Sequence, residues 1–161
     1  MTPLIHLVCG STGAGKTTAA LELAAGLPAL HLSIDDWMTT LFWADSPQPI
    51  QFAWAMARVK RCEAQIWTTA LAAARLGVAS VLDLGFTKAE HRQRFYALAG
   101  AEGLGVRLHY VNVPAAERWR RVEARNTERG TTFRLEVNRQ MFDFIESIWE
   151  PPGAAELAAR A

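Results

Sequence analysis

The residues best suited to chemistry lie near the N-terminus, in the run Gly10-Ser11-Thr12-Gly13-Ala14-Gly15-Lys16-Thr17. This run matches GxxxxGKT, a glycine-rich loop that binds phosphate groups at the start of a helix. Glycines let the backbone N–H groups converge on one phosphate, and the helix N-terminus adds partial positive charge. In this pattern Lys16 reaches the β- and γ-phosphates, and the Thr17 hydroxyl is a ligand for Mg²⁺. We therefore predict that ATP and Mg²⁺ are the cofactors, with ATP bound by Gly10 to Thr18.

The residues around this loop support the interpretation. The apolar run Leu4 to Cys9 has the composition of a buried strand, and a helical segment, Thr17 to Ala25, follows the glycines. A phosphate-binding loop needs a strand, a turn and a helix in that order. The alternative is a glycine-rich strand–helix turn without a ligand, but such a turn does not need Lys16 followed by Thr17.

Three aspartates could take part in the same chemistry. Asp35 and Asp36 follow the second predicted strand, at the sheet edge where ligands bind in open α/β folds. A carboxylate there can accept the proton of an attacking hydroxyl, or it can cap the following helix. Asp83 lies in an apolar run near the end of the third predicted strand, where an acid needs a partner. We expect that partner to be Mg²⁺, through water, or a substrate hydroxyl; loop N–H groups are the structural alternative.

A third candidate group is a series of arginines after Pro114. Its members are Arg118, Arg120, Arg121, Arg125, Arg129 and Arg134. Arg118, Arg121 and Arg125 recur at i, i+3 and i+7, so they share one helical face. A mobile arginine segment that closes over the γ-phosphate stabilises the negative charge of phosphoryl transfer. Glutamates are interleaved with the arginines, as on a solvated helix face, so we expect two functional arginines rather than six.

The elements that must position these residues alternate between strand and helix. Strands are predicted at 4–9, 29–33, 79–84 and 106–113, and helices at about 15–25, 52–76, 88–101, 115–129 and 134–149. The segment after the second strand, with Asp35 and Asp36, is predicted to be a loop. This alternation, with strands that are almost continuously apolar, predicts a parallel α/β sheet between layers of helices. For the tail, 154–161, a helical turn, a degenerate strand and disorder all remain open.

These motifs resemble those of P-loop kinases in the group that holds polynucleotide 5′-kinase, zeta toxin and chloramphenicol phosphotransferase. The glycine-rich loop is generic, whereas Asp35-Asp36 is similar to the Asp-Asp of polynucleotide 5′-kinase. The segment from Arg125 to Gly130, which follows Val113-Pro114, resembles the RNxxRG lid of that kinase. The resemblance implies a P-loop NTPase fold of the AAA type, with one kinase domain over residues 1–161 and a helical, arginine-bearing lid over about 115–135.

The same resemblance implies roles for individual residues. Asp35 corresponds to the catalytic base, Arg125 and Arg129 to the lid arginines on the nucleotide phosphates, and Asp83 to an aspartate that positions the acceptor. One departure concerns the acceptor: polynucleotide 5′-kinase has Asp-Asp-Tyr-Arg, and its Arg holds the acceptor's phosphate. Here Trp37 and Met38 stand in the last two positions. A nucleic-acid end is therefore disfavoured as the acceptor.

The function that we predict is phosphoryl transfer from ATP to a hydroxyl of a small molecule. Trp37 and Trp43, close in sequence to Asp35, are predicted either to line an apolar acceptor pocket or to serve plain packing. Two alternatives remain open. One is a nucleic-acid end kinase, which would require a basic stripe in the fold. The other is a nucleotide-dependent ATPase or switch, which would have no acceptor pocket beside Asp35.

Composition narrows the class of protein. The 161 residues suffice for one domain, and a formal net charge of +1 makes no case for a long nucleic-acid or membrane surface. Cys9 and Cys62 lack metal or redox spacing and are predicted to be reduced core thiols. The four histidines, His6, His31, His91 and His109, are predicted to be structural.

The sequence shows no signal-peptide pattern, so we expect a cytoplasmic protein. Its expected partners are ATP and a small-molecule acceptor, and we expect no association with a membrane. The oligomeric state is not predicted.

Overall fold

The sheet of the protein consists of four parallel strands. The computed structural model describes residues 4–130 and 136–161. The strands are β1 (Leu4–Cys9), β2 (Leu30–Ser33), β3 (Ser80–Asp83) and β4 (Gly105–Tyr110). They are arranged in the order β2-β3-β1-β4, and every neighbouring pair is parallel. The predicted parallel α/β architecture is therefore confirmed.

Helices connect these strands and follow the predicted alternation. They are α1 (Lys16–Gly26), α2 (Ile34–Leu41), α3 (Phe52–Arg75), α4 (Ala89–Ala101), α5 (Ala115–Glu128), α6 (Arg139–Ile148) and α7 (Ala154–Ala159), with a 3₁₀ turn at Trp43–Asp45. The last long helix was predicted to begin at Arg134, which lies outside the described residues. Among the described helices, none has both the length and the apolar character required to cross a bilayer.

The segment after β2 differs from the prediction, because it is helical rather than a loop. Ser33 ends β2 and is the N-cap of α2, where its Oγ accepts a hydrogen bond from the Asp36 backbone N–H at 3.3 Å. Asp35 and Asp36 thus lie in the first turn of α2, where carboxylates complement the helix dipole. Neither aspartate is the cap, so the capping role considered for them belongs to Ser33. The prediction gave too little weight to serine as a helix-starting residue.

The core lies on both faces of the sheet. One cluster joins Ile5, Leu7 and Leu82 of the strands to Ile66 of α3 and Phe95 of α4. A smaller cluster on β1, β3 and α1 contains Val8, Ala20, Ala24 and Val81. Both cysteines are buried and free, in agreement with their prediction as core thiols. Burial on two faces explains the almost continuous apolar character of the strands.

The C-terminal tail forms a short helix, so of the three interpretations the helical one is confirmed. The backbone N–H of Leu108 in β4 donates a hydrogen bond of 2.8 Å to the carbonyl of Arg160, just after α7. Glu156 of α7 accepts from the fully buried Arg92 at 2.8 Å and from the Tyr96 hydroxyl at 2.7 Å. These contacts bring the tail against β4, which is an edge strand of the sheet as described.

Candidate active site

A cleft of about 730 Å³ lies at the carboxyl ends of β1, β2 and β3. Gly10 follows β1, Ser33 ends β2 and Asp83 ends β3, and all three line this cleft. Most of the glycine-rich loop lines it as well; Ser11 and Ala14 do not and are buried. In open parallel sheets this edge is where ligands bind.

The glycine-rich loop packs tightly against the rest of the protein. Gly13 and Gly15 adopt left-handed backbone conformations, with φ of 80° and 91°. A Cβ atom at Gly13 would lie 2.5 Å from the carbonyl oxygen of Arg118, and one at Gly10 would lie 2.7 Å from that of Val111. Other residues at these positions would therefore displace the backbone. The glycine spacing that the sequence displays is required by this packing.

Lys16, Thr17 and Asp83 form a polar group at the start of α1. The Lys16 ammonium donates to the Ser11 carbonyl at 3.3 Å, and the Thr17 hydroxyl donates to Oδ2 of Asp83 at 2.9 Å. Burial lowers the pKa of Lys16, while the carboxylates of Asp83 and Asp35 oppose that shift. Nε2 of His31 lies 3.4 Å from the same Asp83 oxygen, a contact that the sequence analysis missed. His31 is in register with Val81, which brings β2 and β3 side chains together.

The pair formed by Thr17 and Asp83 fits the requirements of Mg²⁺. This cation prefers oxygen ligands, and in P-loop NTPases a loop Ser or Thr and a strand-end Asp hold it. The hydroxyl and the carboxylate already lie within hydrogen-bond distance of one another, beside the phosphate-binding loop. Among the described residues, this site included, no group of three or more His, Cys, Asp and Glu side chains could hold a metal ion.

One face of α5 carries arginines, as their spacing predicted, and the structure turns that face toward the glycine-rich loop. Nη1 of Arg118 donates to the Thr12 carbonyl and Nη1 of Arg121 to the Ala14 carbonyl, both at 3.3 Å. Arg125, one turn farther on, lines the cleft. Its Nε is buried and has no hydrogen-bond partner among the described residues. Burial lowers the pKa of Arg125, and the Asp35 carboxylate opposes the shift. A buried, unpaired guanidinium nitrogen beside a phosphate-binding loop is suited to an anionic ligand.

Besides Ser11 and Ala14, the structure places Arg129 and Trp37 outside the lining of the cleft. Helix α5 ends at Glu128, and Arg129 has a left-handed conformation with φ of 48°, so it does not continue the arginine face. Arg129 is exposed, and its Nη2 lies 3.4 Å from the Glu136 carboxylate. Trp37 packs against the core cluster, whereas Trp43 lines the cleft. Asp35 and Asp36 both line it.

Sequence reasoning also missed the contribution of α6. Glu146 accepts hydrogen bonds from the Ser11 hydroxyl at 3.1 Å and from Nη2 of Arg118 at 2.8 Å. The pKa of Glu146 is lowered, mainly because its carboxylate accepts the hydrogen bond from Arg118. An apolar face before and along α6 lines the cleft; its members are Val137, Met141, Ile145 and Ile148. Their helical spacing is visible in the sequence, but the surface that they face is not.

Comparisons with known proteins agree with this fold. The AAA domain family matches residues 5–148. A comparison with curated proteins finds no match. Among solved structures, a putative kinase from Chloroflexus aurantiacus is 19% identical with a TM-score of 0.71, and the alignment covers 94% of this chain and 79% of that one.

Two further structures show the same fold. The APS kinase CysC of Mycobacterium tuberculosis, solved with AMPPNP and APS, is 18% identical with a TM-score of 0.59, covering 91% of this chain and 95% of the kinase. A chain of the Pnkp1/Rnl/Hen1 RNA repair complex is 15% identical with a TM-score of 0.66, covering 91% of this chain and 44% of that one. Because the family match spans most of the sequence, this chain belongs to the AAA domain family, and its parallel sheet between helices is a P-loop kinase fold.

Proposed function

We propose that this protein is an ATP-dependent phosphotransferase that moves the γ-phosphate of ATP to a hydroxyl group of a small molecule. The observation that carries the proposal is the position of Asp35, which lines the same cleft as Lys16 and Arg125. Its negative charge opposes the downward pKa shift of both basic groups. Phosphoryl transfer to an alcohol needs a carboxylate at this place to accept the hydroxyl proton, whereas nucleotide binding alone does not.

In this proposal one side of the cleft holds the nucleotide. The amides of residues 10–15 and the Lys16 ammonium bind the β- and γ-phosphates, and Arg125 provides charge to the transferred group. Thr17 and Asp83 hold Mg²⁺, which neutralises phosphate charge when it is bound. The unpaired Nε of Arg125 and the oxygen pair of Thr17 and Asp83 support these assignments.

Asp35 then acts on the acceptor. Its carboxylate takes the proton of the acceptor hydroxyl while that oxygen forms a bond to the γ-phosphorus. The bond between the γ-phosphorus and the β,γ-bridging oxygen breaks, and ADP leaves. The proton passes from Asp35 to solvent, which restores the base for the next cycle. Asp83 could in addition orient the acceptor, as the family resemblance implies.

The remaining assignments follow from the same proposal. A single kinase domain spans residues 1–161, and its lid, about 115–135, brings Arg129 toward the phosphates when a substrate is bound. Trp37 supports the acceptor side from the core. The acceptor is a small molecule rather than a nucleic-acid end, because the buried Met38 stands where polynucleotide 5′-kinase has its phosphate-binding Arg. We expect the protein to act in the cytoplasm, where ATP is available.

A transfer assay tests the function directly. The purified protein is incubated with Mg²⁺ and ATP that carries an isotopic label on its γ-phosphate, together with a chemically diverse library of alcohols. We expect a labelled product whose mass exceeds that of one library member by one phosphoryl group. Chelation of Mg²⁺ should abolish the product, and addition of Mg²⁺ should restore it. ATP hydrolysis at one unchanged rate with every library member, without any phosphorylated product, would instead favour an ATPase or switch.

A further inference from the structure

The two sides of the cleft differ in charge. We call the first side the phosphate half; it comprises residues 10–18, Arg121 and Arg125. A second part of the lining we call the acceptor half, with these members: Asp35, Thr39, Trp43, Thr87, Val137, Met141, Ile145 and Ile148. Of the described residues that line the cleft, the basic ones are Lys16 of the loop, Arg121, which donates to the Ala14 carbonyl of the loop, and Arg125, one turn farther along α5. The acceptor half therefore offers no cation, among the described residues, to a carboxylate, sulfate or phosphate group of an acceptor.

The acceptor half instead offers apolar surface. Val137, Met141, Ile145 and Ile148, which we call the apolar wall, recur at intervals of four, four and three residues and all line the cleft. Each of these side chains remains partly exposed. The indole of Trp43 lines the same cleft. Partly exposed aliphatic and aromatic groups in a concave site gain free energy when a ligand with an apolar body covers them.

Two hydrogen bonds fix the apolar wall relative to the phosphate half. Glu146, the neighbour of Ile145 in α6, accepts from the Ser11 hydroxyl of the glycine-rich loop at 3.1 Å. Just beyond α6, the Glu150 backbone N–H donates to the carbonyl of Thr87 at 2.9 Å. Thr87 itself lines the cleft. The wall is thus attached to the nucleotide-binding loop and to the segment after β3, so its distance from the reacting phosphate is set by the fold.

Charge and polarity at the acceptor half point to one class of acceptor. Asp35 and Asp36 both line the cleft, and an anionic group beside them would be repelled. The hydroxyls of Thr39 and Thr87 provide neutral hydrogen-bonding groups. We infer that the acceptor is an uncharged alcohol with an apolar body that lies against the apolar wall and Trp43. This inference rests on the proposed phosphotransferase function and narrows its substrate class.

The first test separates acceptors by charge. A metabolite extract supplemented with a diverse alcohol library is divided into an anion-exchange-bound, a cation-exchange-bound and an unbound fraction, and the unbound fraction is divided further by retention on a reversed-phase column. Each fraction receives the protein, Mg²⁺ and γ-labelled ATP. We expect the labelled product in the unbound, reversed-phase-retained fraction. Product confined to an ion-exchange-bound fraction would overturn the inference and leave the phosphotransferase proposal intact, whereas product in no fraction would count against that proposal itself.

The second test changes the wall without changing the phosphate half. Ile145→Thr replaces the ethyl branch of the side chain with a smaller hydroxyl group. Met141→Gln, which keeps the length of the side chain, is a second variant in case the first fails to fold. We expect either change to raise KM for the acceptor alcohol identified in the first test by roughly 10-fold, with KM for ATP unchanged. Phe144→Ala is the matched control, because Phe144 lies on the same helix, is 62% exposed and does not line the cleft. An unchanged acceptor KM in a folded wall variant, or an equal rise in the control, would contradict the inference.

Discussion

The phosphate half and the acceptor half of the cleft are built in different ways. The phosphate half comes mostly from one short segment, in which backbone conformation at Gly13 and Gly15 and one lysine create the site. The acceptor half comes from side chains of α2, the 3₁₀ turn, the segment after β3, and α6, which are far apart in the chain. A site made from local backbone leaves a recognisable motif, whereas a site made by packing of distant elements does not.

The two halves also differ in electrostatics. Burial lowers the pKa of both Lys16 and Arg125, which means that the fold keeps two cations partly desolvated beside the loop. Such groups are costly until an anion neutralises them, and the phosphates of ATP would do so. The acceptor half contains one aspartate, two threonines and apolar side chains instead. The comparison leads to four predictions, each of which tests whether the halves act separately.

The largest effect is expected from Lys16→Ala in the phosphate half. In the proposed function the Lys16 ammonium is the charged contact of the loop to the β- and γ-phosphates, so its removal should weaken ATP binding strongly and abolish turnover. Calorimetric titration with ATP and the γ-phosphate transfer assay measure the two effects. Circular dichroism should show an intact fold. Normal ATP affinity together with normal turnover would refute the nucleotide assignment.

Asp35→Asn should separate the two halves most clearly. The substitution keeps the size of the side chain and removes the proton acceptor, while the glycine-rich loop is untouched. Transfer should fall by about 10²–10⁴-fold, and ATP affinity should stay unchanged. Asp36→Asn, one residue along the same first turn of α2, is the matched control and should have a smaller effect. If only Asp36→Asn is inactive, the wrong carboxylate has been assigned; if neither matters, a nucleotide switch is favoured.

Arg125→Ala tests the boundary between the halves. Arg125 lines the cleft with a buried, unpartnered Nε, so its loss should lower turnover by about 10²–10³-fold, as for other groups that stabilise charge in the transition state. Arg129→Ala should lower turnover less, because Arg129 is exposed and lies outside the lining of the cleft. Steady-state kinetics and thermal unfolding distinguish catalysis from stability. Full turnover in both variants would refute the lid assignment.

Glu156 lies outside both halves. Glu156→Gln should lower the stability of the protein without changing KM for ATP or KM for the acceptor. The Arg92 hydrogen bond is the main cause that lowers the pKa of Glu156 in the folded protein. The Glu156 carboxylate therefore binds a proton more readily in the unfolded state than in the folded state. The ion pair with Arg92 contributes its full stabilisation at pH values above the unfolded-state pKa of Glu156, about 4.3. It is lost as the pH falls through the lower, folded-state pKa.

Urea unfolding of the wild type and the Glu156→Gln variant measures this effect. At about pH 7 the variant should be less stable by roughly 3 kcal/mol, because Arg92 is fully buried and would lose its charged partner. The difference in unfolding free energy should shrink as the pH falls below about 4. A difference that does not depend on pH would show that the ion pair is not its source. A change in the acceptor KM would show that the tail influences the acceptor half.

Several parts of the fold and the candidate site could be predicted because they depend on nearby residues. The start and end of β1, the loop after it and the arginine face of α5 follow from short-range spacing, and the structure agrees with them. The helix that carries Asp35 and Asp36 was missed, because its start depends on the cap at Ser33 and the following prolines suggested a loop. Arg129 was expected to lie within the predicted helix 115–129, but α5 ends at Glu128 and Arg129 has a left-handed conformation.

The sequence by itself determined the glycine-rich loop between β1 and α1, the alternation of strands and helices, and the pair of aspartates just after β2, since each is encoded within a few residues. Only the tertiary structure decided that α6 lines the cleft, that Glu146 contacts Ser11, and that the tail is a helix against β4. These features depend on which surfaces meet when distant elements pack together. Helical spacing identifies an apolar face, but the surface that packs against that face depends on how all the elements of the fold are arranged.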